Sequence, residues 1–273
     1  MILLGRSGYV ARNLATGLGA LGFDVAARGR PDCDLEDWPA ALADLRGRFS
    51  QPSAVVCVSG ITRTAGGAES AFRRNVVMAE TLARLGRMLP IAHLIFVSSA
   101  DVFGHPTAAI RPDTAPAPEG AYGQSKAESE AILAEGFPGR LTLLRPPGIW
   151  GGSGDSASLI ARFAAIARMG GTIRLSGGGG ALRDLLWMDD LVWLVAHLLR
   201  RGPVGALNAG PGRPVSVAAI AQAVIAHIGR GGLEAVPAAE RDFDLSFDPA
   251  CLGALACGRR WTSPCDAGAL AGL

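Results

Sequence analysis

The first thirty residues leave this chain few folds to choose from. An apolar run at 1–4 breaks into Gly5-Arg6-Ser7-Gly8. Tyr9, Val10, Asn13, Leu14, Leu18 and Leu21 then recur at three- and four-residue spacing, the period of one helix face. A second apolar stretch at 23–27 ends at Arg28-Gly29-Arg30-Pro31. Strand, glycine loop, helix and strand within about 30 residues is the size of a βαβ unit. Such a crossover joins parallel strands with helices over both faces, so the later strands should read as continuous apolar runs.

They do. Segments 54–58, 93–98 and 141–144 are apolar throughout or nearly so, and Arg145-Pro146-Pro147-Gly148 closes the last of them. Helices are predicted over 37–45, over 68–89 with Pro90 as the stop, and over 122–135. The stretch 104–120, rich in proline and charge, reads as a surface loop. This alternation predicts an α/β fold, a Rossmann-like doubly wound parallel sheet. After Trp150 the pattern loosens. Helices are predicted over 156–169, 189–201 and 215–228, with a flexible loop at 177–180, a short strand at 206–209 and an irregular tail from Glu234. The division this suggests is a dinucleotide-binding Rossmann domain over 1–150 and a small C-terminal substrate-binding lobe over 151–273, with some elements returning to the main sheet.

Composition removes several classes of function. The net charge is +2 with no basic block, which speaks against nucleic acid as a partner. The longest apolar run, near 185–199, is interrupted by Asp189 and Asp190, so no membrane span is expected. The first residues carry no basic stretch ahead of an apolar one; a cytoplasmic protein without signal peptide is expected. Cys33, Cys57, Cys251, Cys257 and Cys265 are odd in number and lack Cys-x-x-Cys spacing, and the four histidines lack ligand spacing. Reduced thiols and no metal site are therefore expected.

The glycine loop has the form Gly5-x-x-Gly8-x-x-Ala11. Glycine at the first two positions permits a tight turn and lets a pyrophosphate approach backbone amides; the small Ala11 lets helix pack on strand. Arg6, Ser7, Tyr9 and Val10 complete the turn expected to touch a dinucleotide, whose phosphates would meet the helix N-terminus. An acid at the end of strand two would bond the ribose 2′-hydroxyl of NAD. The chain offers Arg28 and Arg30 there, beside Arg6, and guanidinium groups suit a 2′-phosphate. The expected cofactor is NADP, with NAD as the alternative.

The chain has two tyrosines, and Lys126 is its one lysine among 26 basic residues. That lysine lies four residues after Tyr122, in Tyr122-Gly123-Gln124-Ser125-Lys126, so both side chains address one face of a helix. A free phenol, with a pKa of about 10, is a poor base near neutrality. An ammonium about 4 Å from the phenolate stabilises it by roughly 4 kcal/mol at an effective dielectric of 20, enough to bring it into acid–base range. The set invites a third member: Ser98-Ser99 ends a buried strand, and a hydroxyl there could bond a reacting oxygen.

Taken together these residues resemble the extended short-chain dehydrogenase/reductases, the NAD(P)-dependent epimerase/dehydratase family. The GxxGxxA loop, Asp34-Leu35, Ser59-Gly60, Asn75, Ser99, Tyr122, Lys126, the LRPPGIWG loop holding Pro147 and the RDLLWMDDL segment holding Arg183 carry the likeness. The resemblance implies catalysis by Ser99, Tyr122 and Lys126. It implies cofactor contacts from Asp34, Leu35, Ser59, Gly60, Tyr122, Lys126 and Pro147, with Lys126 on the nicotinamide ribose, and substrate contacts from Ser99, Asp101 and Arg183, the last on phosphates. It further implies an oxidoreductase or epimerase acting on a nucleoside-diphosphate sugar, and a homodimer. Family dehydratases carry Thr-Asp-Glu where this chain has Ser99-Ala100-Asp101; without the middle acid a dehydratase is disfavoured. Two alternatives stand beside this reading: an NADPH-dependent carbonyl reductase for a small non-nucleotide metabolite, and a non-catalytic dinucleotide-binding sensor.

Overall fold

The computed structural model describes residues 1–62, 67–155, 157–238, 242–256 and 258–273. Cys257 and the expected helix start at Ser156 lie outside them. The chain forms β1 (Ile2–Leu4), α1 (Tyr9–Ala20), β2 (Ala26–Arg28), α2 (Trp38–Arg46), β3 (Ser53–Cys57), α3 (Ala68–Met88), β4 (Ile91–Val97), α4 (Ala121–Gly136) and β5 (Arg140–Arg145). There follow β6 (Gly148–Trp150), α5 (Leu159–Arg168), β7 (Thr172–Ser176), β8 (Leu182–Arg183), β9 (Leu185–Trp187), α6 (Met188–Arg201), β10 (Gly205–Asn208), β11 (Val215–Ser216), α7 (Val217–Ile228), β12 (Gly232–Val236) and α8 (Ala250–Ala256).

Six strands form one sheet in the order β10-β5-β4-β3-β1-β2, and the registers from β2 across to β5 are parallel. The fold is α/β and Rossmann-like, as the alternation required. The order reverses at β1: β2 lies on one side of it and β3 on the other. The loops after β1 and β3 therefore flank the crevice in which sheets of this kind hold ligands. The second strand is shifted from the expected 23–27 to Ala26–Arg28, because the register pairs Ile2 with Ala26 and Leu4 with Arg28.

The chain divides into two compact units: 1–104, 115–145 and 192–207 in the first; 105–114, 146–191 and 208–273 in the second. In the first, Leu4, Val55, Leu82, Leu85, Leu94 and Leu133 belong to one buried core between the sheet and the long helices. Gly17 of α1 faces Val192 of α6 so closely that a Cβ would lie 2.6 Å from its methyl. In the second unit Trp150, Ile160, Leu175, Leu185, Ile220, Val224 and Leu270 form a separate core.

One expectation for the later part of the chain needs correcting. The stretch from Glu234 is not irregular throughout: β12 pairs in parallel with β7, Gly232 opposite Thr172, and α8 follows. Within the glycine run 177–180, Gly177–Gly179 makes a short turn in which Gly178 and Gly179 hold φ values of +71° and +76°, angles that favour glycine. Among the described residues no helix is long and apolar enough to cross a membrane.

Candidate active site

The glycine loop is built by what surrounds it. Gly5 has φ +109°, and a Cβ there would stand 3.0 Å from the Ser59 amide nitrogen, so the loops after β1 and β3 touch because Gly5 has no side chain. Gly8 donates to the Gly5 carbonyl at 2.9 Å and opens α1. No side chain caps that N-terminus, and its first turn holds no acid. The backbone amides and the helix dipole there suit an anion. A cleft of about 130 Å³ lies beside it, lined by Gly5, Ser7, Gly8, Gly29, Arg30, Cys33, Asp34, Leu35, Glu36, Val58, Ser59, Gly60, Ile61 and Met78. Eight residues expected to touch the cofactor, Gly5, Ser7, Gly8, Arg30, Asp34, Leu35, Ser59 and Gly60, thus share one cleft. Burial pushes the Cys33 thiol up to about 11, so it lines the cleft as a neutral group.

The arginines are less alike than their spacing suggests. Arg28 turns away to α2: its Nε donates to Asp44 at 2.9 Å, its Nη2 bonds the other oxygen, and Arg48 joins the same carboxylate at 2.9 Å. Those arginines hold the Asp44 carboxyl below its ordinary range, against the opposing effect of burial. Arg30 is exposed and lies 3.5 Å from Glu36, which Arg74 grips with two bonds of 2.7 and 2.8 Å. Arg6 donates to Asp32 at 2.9 Å. The second strand ends without an acid, as the sequence indicated, but Asp32 brings a carboxylate back to the same place.

The second half of the site rests on α4. Lys126 is 4% exposed; its Nζ donates to the Val97 carbonyl at 3.0 Å, lies 4.7 Å from the Phe96 ring centroid and 6.0 Å from that of Tyr122. Burial lowers its pKa; nearby Cys57 and Glu130 oppose that shift. Gly60 makes room for it, since a Cβ there would sit 3.2 Å from Nζ. One helical turn further on, Glu130 takes Arg145 at 2.6 to 3.0 Å in a buried ion pair. Tyr122 itself is half-buried.

Asn75 of α3 ties these parts together. Its Oδ1 accepts from the Ile61 amide at 2.8 Å, and its Nδ2 donates to the Ile61 carbonyl at 3.1 Å and to Ser125 Oγ at 2.9 Å. Ser125 Oγ in turn donates to the Tyr122 carbonyl at 2.8 Å. The loop after β3 and the first turn of α4 are thus clamped to one amide. The sequence marks Asn75 as a family match without revealing this role. Gly123 escapes sequence reasoning altogether, although a Cβ there would come within 2.2 Å of the Asp101 carbonyl oxygen. The signal is present: a glycine early in the helix that bears the tyrosine and the lysine.

Ser99 caps the 3-10 turn Ala100–Phe103. Its hydroxyl accepts from the Asp101 amide at 3.1 Å and donates to Asp101 Oδ2 at 2.7 Å. Ser99 and Asp101 are therefore bound to each other, next to the start of α4 that Gly123 brings in. Pro147 and Arg183 belong to the second unit. There Arg183 is half-buried, stacks 5.0 Å from the Phe243 ring centroid and donates to the carbonyls of Leu182, at 2.7 Å, and Phe243. The neighbouring Asp184 carboxylate accepts from the amides of Gly212, at 2.8 Å, and Arg213, at 3.3 Å.

The family model described as "NAD dependent epimerase/dehydratase family" matches residues 1–210. The fold is similar to that of DesIV, a dTDP-glucose 4,6-dehydratase from Streptomyces venezuelae with NAD and TYD bound (TM-score 0.82, 19% identity, 96% of this chain and 92% of that one). It is similar to the Thermus thermophilus UDP-glucose 4-epimerase in complex with NAD (TM-score 0.80, 20% identity, 93% and 92%). It is also similar to RMD from Pseudomonas aeruginosa complexed with NADPH (TM-score 0.77, 22% identity, 93% and 91%).

Proposed function

Because this chain belongs to the NAD dependent epimerase/dehydratase family, we propose that it is an NADP-preferring epimerase or reductase of a nucleoside-diphosphate sugar, with Tyr122 as the proton-transfer group. The observation that carries the reading is the burial of the chain's one ammonium side chain, Lys126, a helical turn from Tyr122 and 6.0 Å from its ring. An uncompensated buried cation is costly. Retaining it beside a phenol has a chemical use, because the positive charge favours the phenolate. Tyr122 would then give a proton to, or take one from, a substrate hydroxyl or carbonyl oxygen near neutral pH. Ser99 would bond that same oxygen once its hydroxyl turns from Asp101.

The cradle of Gly5 and Gly8, the uncapped start of α1 and the cleft reaching Asp34 fit a dinucleotide. Its pyrophosphate would lie on the α1 amides and its adenine end near Asp34 and Leu35. When bound, the nicotinamide ring supplies hydride exchange with a substrate carbon. Lys126 would hold the adjoining ribose. Arg6 and Arg30 are the guanidiniums proposed for a 2′-phosphate, Arg28 being committed to Asp44. The nucleotide sugar is supported by what the similar enzymes bind, and its diphosphate would draw on Arg183. Ala100, standing where a dehydratase carries an acid, favours epimerisation or reduction over water elimination.

A Tyr122→Phe variant tests the assignment, assayed against UDP-, dTDP- and GDP-hexoses with NADP and NADPH. Binding of NADPH should persist within a few-fold while turnover falls by about 10²–10⁴. Turnover near that of the parent protein would overturn the role of Tyr122.

A further inference from the structure

We infer that the second unit holds a further binding site, for a flat aromatic ring carrying one carboxylate, built on Trp187 and Arg260 and apart from the cofactor and substrate residues described above. It is a hollow of about 610 Å³ between the end of β9 and the segment 260–269. Trp187, Arg260, Trp261, Asp266, Ala267 and Gly268 line it, and all belong to the second unit. Its volume lies in the range of small-molecule sites. The indole of Trp187 is half-buried and firmly held. Trp150 packs against it with ring centroids 6.3 Å apart, and a Cβ on Gly151 would stand 2.8 Å from its Cδ1 and Nε1. What those neighbours leave uncovered lines the hollow, and an indole surface suits a flat ring. The rest of the wall is low: at Gly268 an added Cβ would meet nothing within 4 Å.

The charges around the hollow do not cancel. Arg213 takes both oxygens of Asp266, at 2.7 and 2.9 Å, and holds that carboxyl below its usual range. Arg260 brings a second guanidinium to the same carboxylate at 3.1 Å, with its side chain 77% exposed. Arg259 lies over the Trp261 ring, but Asp190, at 3.0 Å, already matches its charge. Two guanidiniums against one carboxylate leave the rim one positive charge in excess. An exposed pair is weakly held, so Arg260 can turn to a ligand while Arg213 keeps Asp266 neutralised. Its fork suits a carboxylate. A single excess charge selects a monoanion: a phosphate monoester carries nearly two negative charges at neutral pH, exceeds the excess and faces Asp266.

The test titrates 2-naphthoate calorimetrically into the purified full chain, beside three analogues. 2-Naphthalenemethanol keeps the ring without the charge, cyclohexanecarboxylate keeps the charge without the aromatic ring, and 2-naphthyl phosphate adds a second charge. Naphthoate should bind with a Kd of about 1 mM or tighter, and each analogue at least about fivefold more weakly. Arg260→Gln changes an exposed side chain and should weaken naphthoate about five- to tenfold. Ala267→Phe fills the hollow without altering a charge and should abolish binding; melting curves check its fold, and Arg260→Gln decides alone if that fold is lost. Absence of saturable binding, or naphthoate affinity unchanged in Arg260→Gln, would overturn the inference. So would analogues that bind as tightly as naphthoate.

Discussion

Replacing Gly123 by alanine separates the geometry of the site from its chemistry, because no reacting group is altered. The added methyl would lie 2.2 Å from the Asp101 carbonyl oxygen, a backbone atom, and 2.9 Å from its carbon. Real contacts of this kind do not fall below 3.0 Å, so the turn bearing Ser99 and Asp101 must retreat from α4 by about 0.8 Å or more. Overpacking of that order costs about 1–3 kcal/mol. Alanine returns about 1 kcal/mol through helix propensity, leaving a net loss of up to about 2 kcal/mol. A shift approaching 1 Å between Ser99 and Tyr122 should lower turnover by about 10². Gly19 of α1, where an added Cβ would meet nothing within 4 Å, is the control; alanine there should stabilise by about 0.5–1 kcal/mol. Urea denaturation and steady-state kinetics on the two variants check both expectations. Parent-like stability and turnover in Gly123→Ala would refute the reasoning from the missing Cβ.

Two further outcomes follow from buried charges. Glu130→Gln leaves the 8% exposed Arg145 side chain without its anion and should cost about 3–5 kcal/mol in chemical denaturation, whereas replacing both partners by apolar residues should cost far less. Burial pushes the Asp184 carboxyl from 3.8 up to about 6. Its raised folded-state pKa contributes stability that is complete below the unfolded value and lost as pH rises through about 6, a change of about 2 kcal/mol between pH 4 and 7. The difference in unfolding free energy between the parent and Asp184→Asn, measured across that window, should carry this slope; a pH-independent difference would contradict it.

The sheet and the helix bearing Tyr122 and Lys126 were legible because their signals are local. Leu4-Gly5, the apolar run ending at Cys57 and the Tyr122–Lys126 spacing each state their conformation within a few residues. What escaped was decided at a distance. β12 has the sequence Gly-Leu-Glu-Ala-Val, mostly exposed, and becomes a strand only because β7 lies alongside. β8 and β9 have two and three residues, too few to show a period. Arg28 reads as a phosphate ligand by its place after a strand, yet Asp44, sixteen residues on, is carried by α2 to its guanidinium. Asp32 returns to Arg6 by the path of a loop, which no spacing rule encodes. Charge pairing between separate elements is a tertiary outcome, and in a chain with 25 arginines and 24 acids many pairings are open.

The reading of this site stands on the acidification of Tyr122 by Lys126, and the chain's two tyrosines allow it to be observed directly. In a Tyr9→Phe background Tyr122 is the one phenol left, and its ionisation can be followed by ultraviolet difference absorbance. The midpoint should fall well below the free phenol value of about 10 and return toward it when Lys126 is replaced by methionine. A midpoint at or above about 10 that ignores the Lys126 substitution would show that the buried ammonium does not act on the phenol.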